Sequence, residues 1–203
     1  MPRQLKLDLP QWGGRRKGAG RKPLHERAGL IRPGVPHLAR PEFKSRHPVH
    51  ITLRLAKGIP SIRRSDMRGE LERAFRSSSD RFGFRLVHYS IQGNHLHFLA
   101  EADDGDALSR GMQGLTIRCA RAVNRALKRR GKVFVDRFHA RVLNSPREVA
   151  NALRYVTENA RHHGDQTPRD PYSSQRWIWR EPDEDAPVRP PRTWLLRIGW
   201  RRN

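Results

Sequence analysis

The apolar patterns along the chain predict an α+β fold in which helices pack on an antiparallel sheet. Segments with a period of two residues alternate with segments in which apolar residues recur every three to four residues, in the order strand, helix, strand, strand, helix, strand, helix. Gln92-Gly93-Asn94 joins the second and third strands directly, as a hairpin turn does. An order of βαββαβα with such a hairpin is typical of a ferredoxin-like layer.

The composition divides the chain into three parts. We expect residues 47–163 to form one compact domain, flanked by a basic, glycine-containing arm over residues 1–46 and a polar, proline-rich extension over residues 164–203. Only 35% of the 203 residues are hydrophobic, which is too little for a core that runs the full length. No apolar run reaches the roughly 18 residues of a membrane span, and we expect no membrane partner.

The first half of the domain contains three strands and one helix in this prediction. Residues 49–55 alternate with period two, and residues 84–91 are rich in β-branched and aromatic side chains, so both favour strands. Apolar side chains at helical spacing predict a helix over 67–82, with Ser65 as its N-cap and Gly83 as its end. The third strand follows the hairpin turn at once.

Two further helices and a strand complete the predicted domain. From Leu108 to Ala126 the apolar residues follow a 4-3-4-3-4 spacing, and Gly131 ends this helix. Cys119, the only cysteine, lies on the apolar stripe and is expected to be a small core residue, so cysteine zinc sites and internal disulfides are excluded. Residues 132–143 predict the fourth strand, and Ser145-Pro146-Arg147-Glu148 is a capping box that opens the last helix.

The charge points to a polyanionic partner. With 42 Lys and Arg against 20 Asp and Glu, the formal net charge is +22, and nucleic acid is the default partner of so basic a chain. In the arm, Gly20-Arg21-Lys22-Pro23 is similar to the core of an AT-hook, but a solvated tail explains the arm equally well. The cations expected to contact DNA are Arg15, Arg16, Lys17, Arg21 and Lys22 in the arm and Arg118, Arg121 and Arg125 on the long helix.

Two pairs of side chains form the candidate chemical site. His95 and His97 lie two residues apart on a strand, so both project from the same face and can share a metal ion. Tyr155 and Asn159 lie four apart, on one side of the last helix beside its apolar stripe. Each pair also has a structural explanation, as half-buried histidines with ordinary hydrogen bonds and as a tyrosine at a helix–sheet seam with an asparagine near the helix end.

The C-terminal extension carries four of the five tryptophans, interleaved with arginines. Aromatic and arginine side chains together can stack bases and hold phosphates. Alternatively, Trp194-Leu195-Leu196 can form a short helix that closes onto the domain, and we favour this second interpretation because large apolar side chains are usually buried first.

These features together resemble the HUH endonucleases, and within them the small single-tyrosine transposases of bacterial insertion sequences, including the REP-associated tyrosine transposases. The resemblance covers residues 47–163 and rests on three blocks: Asn94-His95-Leu96-His97, residues 137–143 (Arg-Phe-His-Ala-Arg-Val-Leu) and Tyr155-Val156-Thr157-Glu158-Asn159. The last block is similar to the family's Tyr-x-x-x-Asn helix. The resemblance implies a bacterial protein of the cytoplasm, associated with the nucleoid.

By resemblance, His95, His97 and Asn159 hold a divalent ion, Mg or Mn, and Tyr155 is the nucleophile. This implies a metal-dependent endonuclease and strand transferase that nicks and rejoins single-stranded DNA at hairpin or palindromic ends, through a 5′-phosphotyrosine intermediate. A bound cation neutralises phosphodiester charge, and a phenol with a pKa of about 10 needs a nearby cation or base at neutral pH. By ligand type alone, Zn or Mn fits better than Mg. Both a monomer and a homodimer stay open.

Two other functions remain as alternatives. One is a catalytically inactive DNA-binding protein on the same fold, which metal-dependent formation of a covalent adduct would exclude. The other is a basic RNA-binding protein, because charge alone does not separate DNA from RNA.

Overall fold

The structure is a computed structural model that describes residues 44–162, without the side chains of residues 159–162, and residues 170–202. The arginines and lysines predicted to bind DNA in the arm lie outside the described residues. The elements are β1 (Val49–Arg54), α1 (Ser65–Arg76), β2 (Asp80–Arg81), β3 (Phe84–Ile91), β4 (His95–Ala102), α2 (Gly105–Ala126), β5 (His139–Val142), α3 (Pro146–His162) and α4 (Trp194–Arg197), with 3-10 turns at Ser174–Trp177 and Gly199–Arg202.

The five strands form one antiparallel sheet in the order β2-β3-β4-β1-β5. Apart from the two-residue β2, this is the strand order that a ferredoxin-like βαββαβ chain produces. The tight turn at residues 92–94 joins β3 to β4, as the sequence predicts, and a backbone bond from Gln92 N to His95 O of 2.9 Å closes it. The predicted fold class is confirmed.

Helices cover both faces of the sheet. Helices α1 and α2 pack on the face that carries Ile51, Phe84 and Phe98, and this layer is the larger core. Helix α3 packs on the opposite face through Val149, Leu153 and Val156. The helices therefore divide between the two faces: α1 and α2 cover one, and α3, with Leu195 and Leu196 of α4 beside it, covers the face of the histidines.

The first helix is shorter than predicted. It ends at Arg76, because the hydroxyl groups of Ser77 and Ser79 donate hydrogen bonds to the carbonyls of Arg73 and Arg76, at 2.9 and 3.0 Å, and stop the next helical turn. Ser65 is the first helical residue and not the N-cap. Phe82, expected in the helix, is instead exposed in the β2–β3 turn.

The fourth predicted strand is also shorter than expected. Of residues 132–143, only His139–Val142 pair with β1 over their length, and the earlier part touches β1 only through a bridge between Leu55 and Phe134. The capping box follows the prediction, and the long helix carries the predicted apolar stripe but ends at Ala126 and not at Gly131, because Lys128 already has a left-handed backbone (φ 49°). Cys119 is fully buried in the core, where burial raises the pKa of its thiol.

The described part of the C-terminal extension packs against the domain. Trp177 and Val188 join the larger core, while Leu195 and Leu196 are buried beside α3. The buried carboxylate of Glu101 on β4 holds this segment, accepting from the backbone N of Arg192 and Thr193 at 2.8 Å each. This confirms the expected closure by α4, although Trp194 itself stays half exposed. None of the helices in the described part of the chain has the length and apolar character that a bilayer crossing requires.

Candidate active site

The register of the strands places the side chains of the candidate site on the sheet face that α3 covers. In an antiparallel pair, directly opposed residues project to the same face. His97 of β4 lies opposite Thr52 of β1 on one side and Ser90 of β3 on the other, and His95 lies opposite Arg54. The rings of His95 and His97 are 4.5 Å apart between centroids and meet edge to face. The two predicted histidines therefore share one face, as their spacing indicates.

His97 is held from one side only. Its Nδ1 lies 3.2 Å from Nε2 of His50 and 3.2 Å from Oγ1 of Thr52. Its Nε2 is buried and has no hydrogen-bond partner among the described residues. A buried ring nitrogen normally has a partner, so the Nε2 of His97 has an unused lone pair or N–H that a ligand could satisfy.

Burial keeps these imidazoles neutral. Desolvation, with smaller contributions from His95 and His50, lowers the pKa of His97 to about 3. Desolvation, together with the nearby Arg141 and His139, lowers the pKa of His50 to about 4. Both rings are thus unprotonated at neutral pH, which is the form that binds a metal or accepts a proton.

Tyr155 reaches the histidine face from α3. Its ring centroid lies 5.0 Å from that of His97 and 5.9 Å from that of His50, in edge-on contacts. The side chain is 43% exposed, so solvent or a substrate can reach it. Helix α3 is positioned by its buried stripe, of which the next residue, Val156, is a member. The structure therefore brings together Tyr155, His95 and His97, which are distant in sequence.

The third predicted ligand is less well defined. Asn159 lies on α3 one turn after Tyr155, and its side chain is outside the described residues. Within the described ranges, no three histidine, cysteine or carboxylate side chains group as a metal centre. The role of Asn159 as a ligand stays a prediction.

The donor set nevertheless fits a divalent ion. His95 and His97 present two imidazoles whose ring centroids are 4.5 Å apart, and the Nε2 of His97 has no hydrogen-bond partner among the described residues, so these two rings would hold such an ion. Metal-bound histidines commonly donate their other ring N–H to a fixed acceptor, and Thr52 and His50 stand at that nitrogen. Two imidazoles suit Mn or Zn better than Mg by ligand type.

The predicted cations on the long helix are not part of this site. Arg118, Arg121 and Arg125 project from α2, which covers the opposite face of the sheet. Arg125 also forms an ion pair with Glu70 of α1 at 2.5 Å. Their contact with DNA stays a prediction, and it requires a surface separate from the histidine face.

Four residues near the site were missed by the sequence analysis. His50 and Thr52 contact His97, while Arg54 and Arg141 lie on the same face beside His95 and His50. The alternation of β1 shows that His50, Thr52 and Arg54 share a face. Only the pairing of β1 with β4 shows that this face is the one that carries His97.

The comparisons with known proteins agree with this architecture. One similar solved structure is described as "Structure of the REP associates tyrosine transposase bound to a REP hairpin". The two chains are 14% identical with a TM-score of 0.55, over 69% of this chain and 82% of that one. At this identity the similarity supports the fold alone. A transposase candidate from Deinococcus radiodurans R1 has 15% identity and a TM-score of 0.41, over 64% and 97%. No curated protein sequence is significantly similar. The profile described as "Transposase IS200 like" matches residues 44–159, more than half of the chain, and the chain therefore belongs to the family of IS200-like transposases.

Proposed function

We propose that this transposase is a single-stranded DNA endonuclease and strand transferase whose nucleophile is Tyr155. The observation that carries the proposal is the position of the Tyr155 ring, 5.0 Å from the ring of His97 on a face of neutral histidines. A helical tyrosine at a packing seam is usually buried against apolar neighbours. Tyr155 is instead partly exposed and stands over imidazoles, an arrangement that suits chemistry better than packing.

In the proposed reaction, the phenolic oxygen of Tyr155 attacks a backbone phosphorus. A bond forms between this oxygen and phosphorus, the bond from phosphorus to O3′ breaks, and the leaving O3′ takes a proton to become a free hydroxyl. The phenolic proton passes to solvent water, which can reach Tyr155 because this side chain is 43% exposed. The DNA keeps a 5′-phosphotyrosine link, so the reverse attack rejoins strands without ATP.

His95 and His97, with Asn159, are the proposed ligands of a divalent ion, Mg or Mn. When bound, such an ion neutralises charge on the non-bridging phosphate oxygens. The contribution of this chain is to present two imidazoles, of which His97 is neutral, and to orient His97 through Thr52 and His50. The proposed substrate is a DNA hairpin or palindromic end, by analogy with the REP hairpin to which the similar REP-associated transposase is bound.

The test is a covalent protein–DNA adduct, seen as a slower band on a denaturing gel with end-labelled hairpin DNA and Mg or Mn. The wild type should form the band, and Tyr155→Phe should lose it while keeping DNA affinity, because only one hydroxyl is removed. Tyr172→Phe is the matched control: its ring packs under the Arg63 guanidinium, 4.6 Å away, outside the histidine face, so the band should persist. Adduct formation by Tyr155→Phe, or no adduct from the wild type, contradicts the proposal, and the latter favours a DNA-binding protein without turnover.

A further inference from the structure

A second concave surface lies on the other side of α3. The groove, with a volume of about 770 Å³, runs between α3 and the C-terminal segment, and Leu153 and Ile178 are among the side chains that line it. Tyr155 faces the histidines, whereas its neighbour Arg154 lines this groove. The proposed catalytic chemistry uses no residue of it.

Two tryptophans on the groove wall are arranged for stacking. Trp200 is fixed, because its indole N–H donates to the Leu196 carbonyl at 3.0 Å. Trp179 lies 5.4 Å from Trp200 between ring centroids and keeps 76% of its surface exposed. A flat apolar face this open, supported by a fixed neighbouring ring, is available to a planar ligand.

The groove is strongly basic. Arg154, Arg176, Arg180 and Arg201 line it, against one acidic side chain, Glu158. The guanidinium of Arg201 lies 5.4 Å from each of the two indole centroids, over both rings. Aromatic faces interleaved with guanidinium groups are the combination that binds single-stranded nucleic acid, where bases stack and cations hold phosphates.

We propose that this groove binds an unpaired stretch of the DNA substrate, with a base stacked on Trp179 and adjacent phosphates held by the arginines. The inference rests on the proposed function for the identity of the polymer as DNA. Helix α3 separates the groove from Tyr155 by about its own diameter of 10 Å, a distance that a few unpaired nucleotides can span. One strand can therefore occupy the groove and the histidine face together.

The experiment measures binding of fluorescently labelled dT12 by anisotropy, with no metal added so that no cleavage intervenes. Trp179→Ala should weaken the affinity about 5- to 100-fold, the usual loss when a stacking aromatic is removed. Because Trp179 is mostly exposed, thermal unfolding should match the wild type. The matched control is Phe82→Ala, which removes an aromatic side chain that is 75% exposed and has Arg81 over its ring but lies in the β2–β3 turn. This control should bind dT12 as the wild type does.

A blunt-ended DNA duplex, in which every base is paired, is the second ligand. Trp179→Ala should lose less affinity for it than for dT12, because paired bases offer no free face to stack. Equal affinity of the wild type and Trp179→Ala for dT12 overturns the inference, as does an equal loss for the blunt duplex or with Phe82→Ala. The readout needs no turnover. If the wild type forms no adduct but Trp179→Ala loses dT12 binding, the proposed catalysis is disproved while the proposed binding of single-stranded nucleic acid in the groove is supported.

Discussion

The ring of Tyr155 lies 5.0 Å from the ring of His97 within one and the same chain. Helix α3 thus places the proposed nucleophile against its own histidines, without a second subunit. This arrangement favours action of Tyr155 within one subunit over action across a homodimer.

Mixing two inactive variants tests this prediction. His97→Ala keeps Tyr155 but lacks a ligand, and Tyr155→Phe keeps the histidines but lacks the nucleophile. We expect an equimolar mixture to form no covalent adduct, because no single chain then holds a complete site. Recovery of adduct, to about a quarter or more of the wild-type level, would show that the site is assembled from two chains.

The proposed metal site should depend on both histidines. His95→Ala or His97→Ala should abolish DNA cleavage while leaving DNA affinity within a few-fold, because affinity comes mainly from the many arginines. Asn159→Ala should be milder, since an amide oxygen binds a divalent ion more weakly than imidazole does. Cleavage and binding measured across a titration of Mg and Mn check this prediction. Full cleavage by His97→Ala at any point of the titration would disprove the assignment.

The packing of α2 on the sheet depends on a glycine. A Cβ at Gly111 would overlap the ring of Phe84, which is fully buried on β3. Gly111→Ala should therefore lower the free energy of unfolding by about 1–3 kcal/mol, as overpacking does. Gly69→Ala in α1, where an added Cβ meets no atom within 4 Å, should raise it by about 0.5–1 kcal/mol. Urea unfolding of both variants compares them, and a neutral Gly111→Ala would show that α2 can shift on the sheet.

Acid should destabilise the fold through His88. This side chain is buried on β3, its Nδ1 lies 3.0 Å from the Ser174 hydroxyl, and burial lowers its pKa from 6.5 to about 4. The folded state holds it neutral, while the unfolded chain binds a proton below pH 6.5. Its contribution to stability is therefore complete above pH 6.5 and is lost as the pH falls toward 4.

The slope of stability against pH isolates this contribution. Between pH 6.5 and 5, carboxylates hardly titrate. Over this range the free energy of unfolding should fall with decreasing pH less steeply in His88→Gln than in the wild type, by roughly 1 kcal/mol per pH unit. The remaining slope should reflect His50 and His97, whose pKa values are lowered in the same direction. An unchanged slope in His88→Gln, from urea titrations at each pH, would place the acid sensitivity elsewhere.

Local patterns in the sequence were enough for much of the fold. The alternation in β1, the hairpin at residues 92–94 and the spacing of α2 each reflect the period of the backbone, which a side-chain pattern reports directly. The capping box formed as expected, because its bonds need only the helix end itself: the Ser145 hydroxyl accepts from the backbone N of Glu148, and the Glu148 carboxylate accepts from the backbone N of Asn144. The shared face of His95 and His97 follows from the same local geometry.

Contacts between distant segments decided the rest. The period of β1 places His50 and Thr52 on one face, but only antiparallel register sets them against His97, since a one-residue slip would turn them away. Likewise, the stripe of α3 shows which side is buried but not which sheet face it covers, and that choice puts Tyr155 over the histidines. The placement of the extension was also decided by tertiary packing. Leu195 and Leu196 are buried against α3, and Trp179 lies beside Trp200 at the surface.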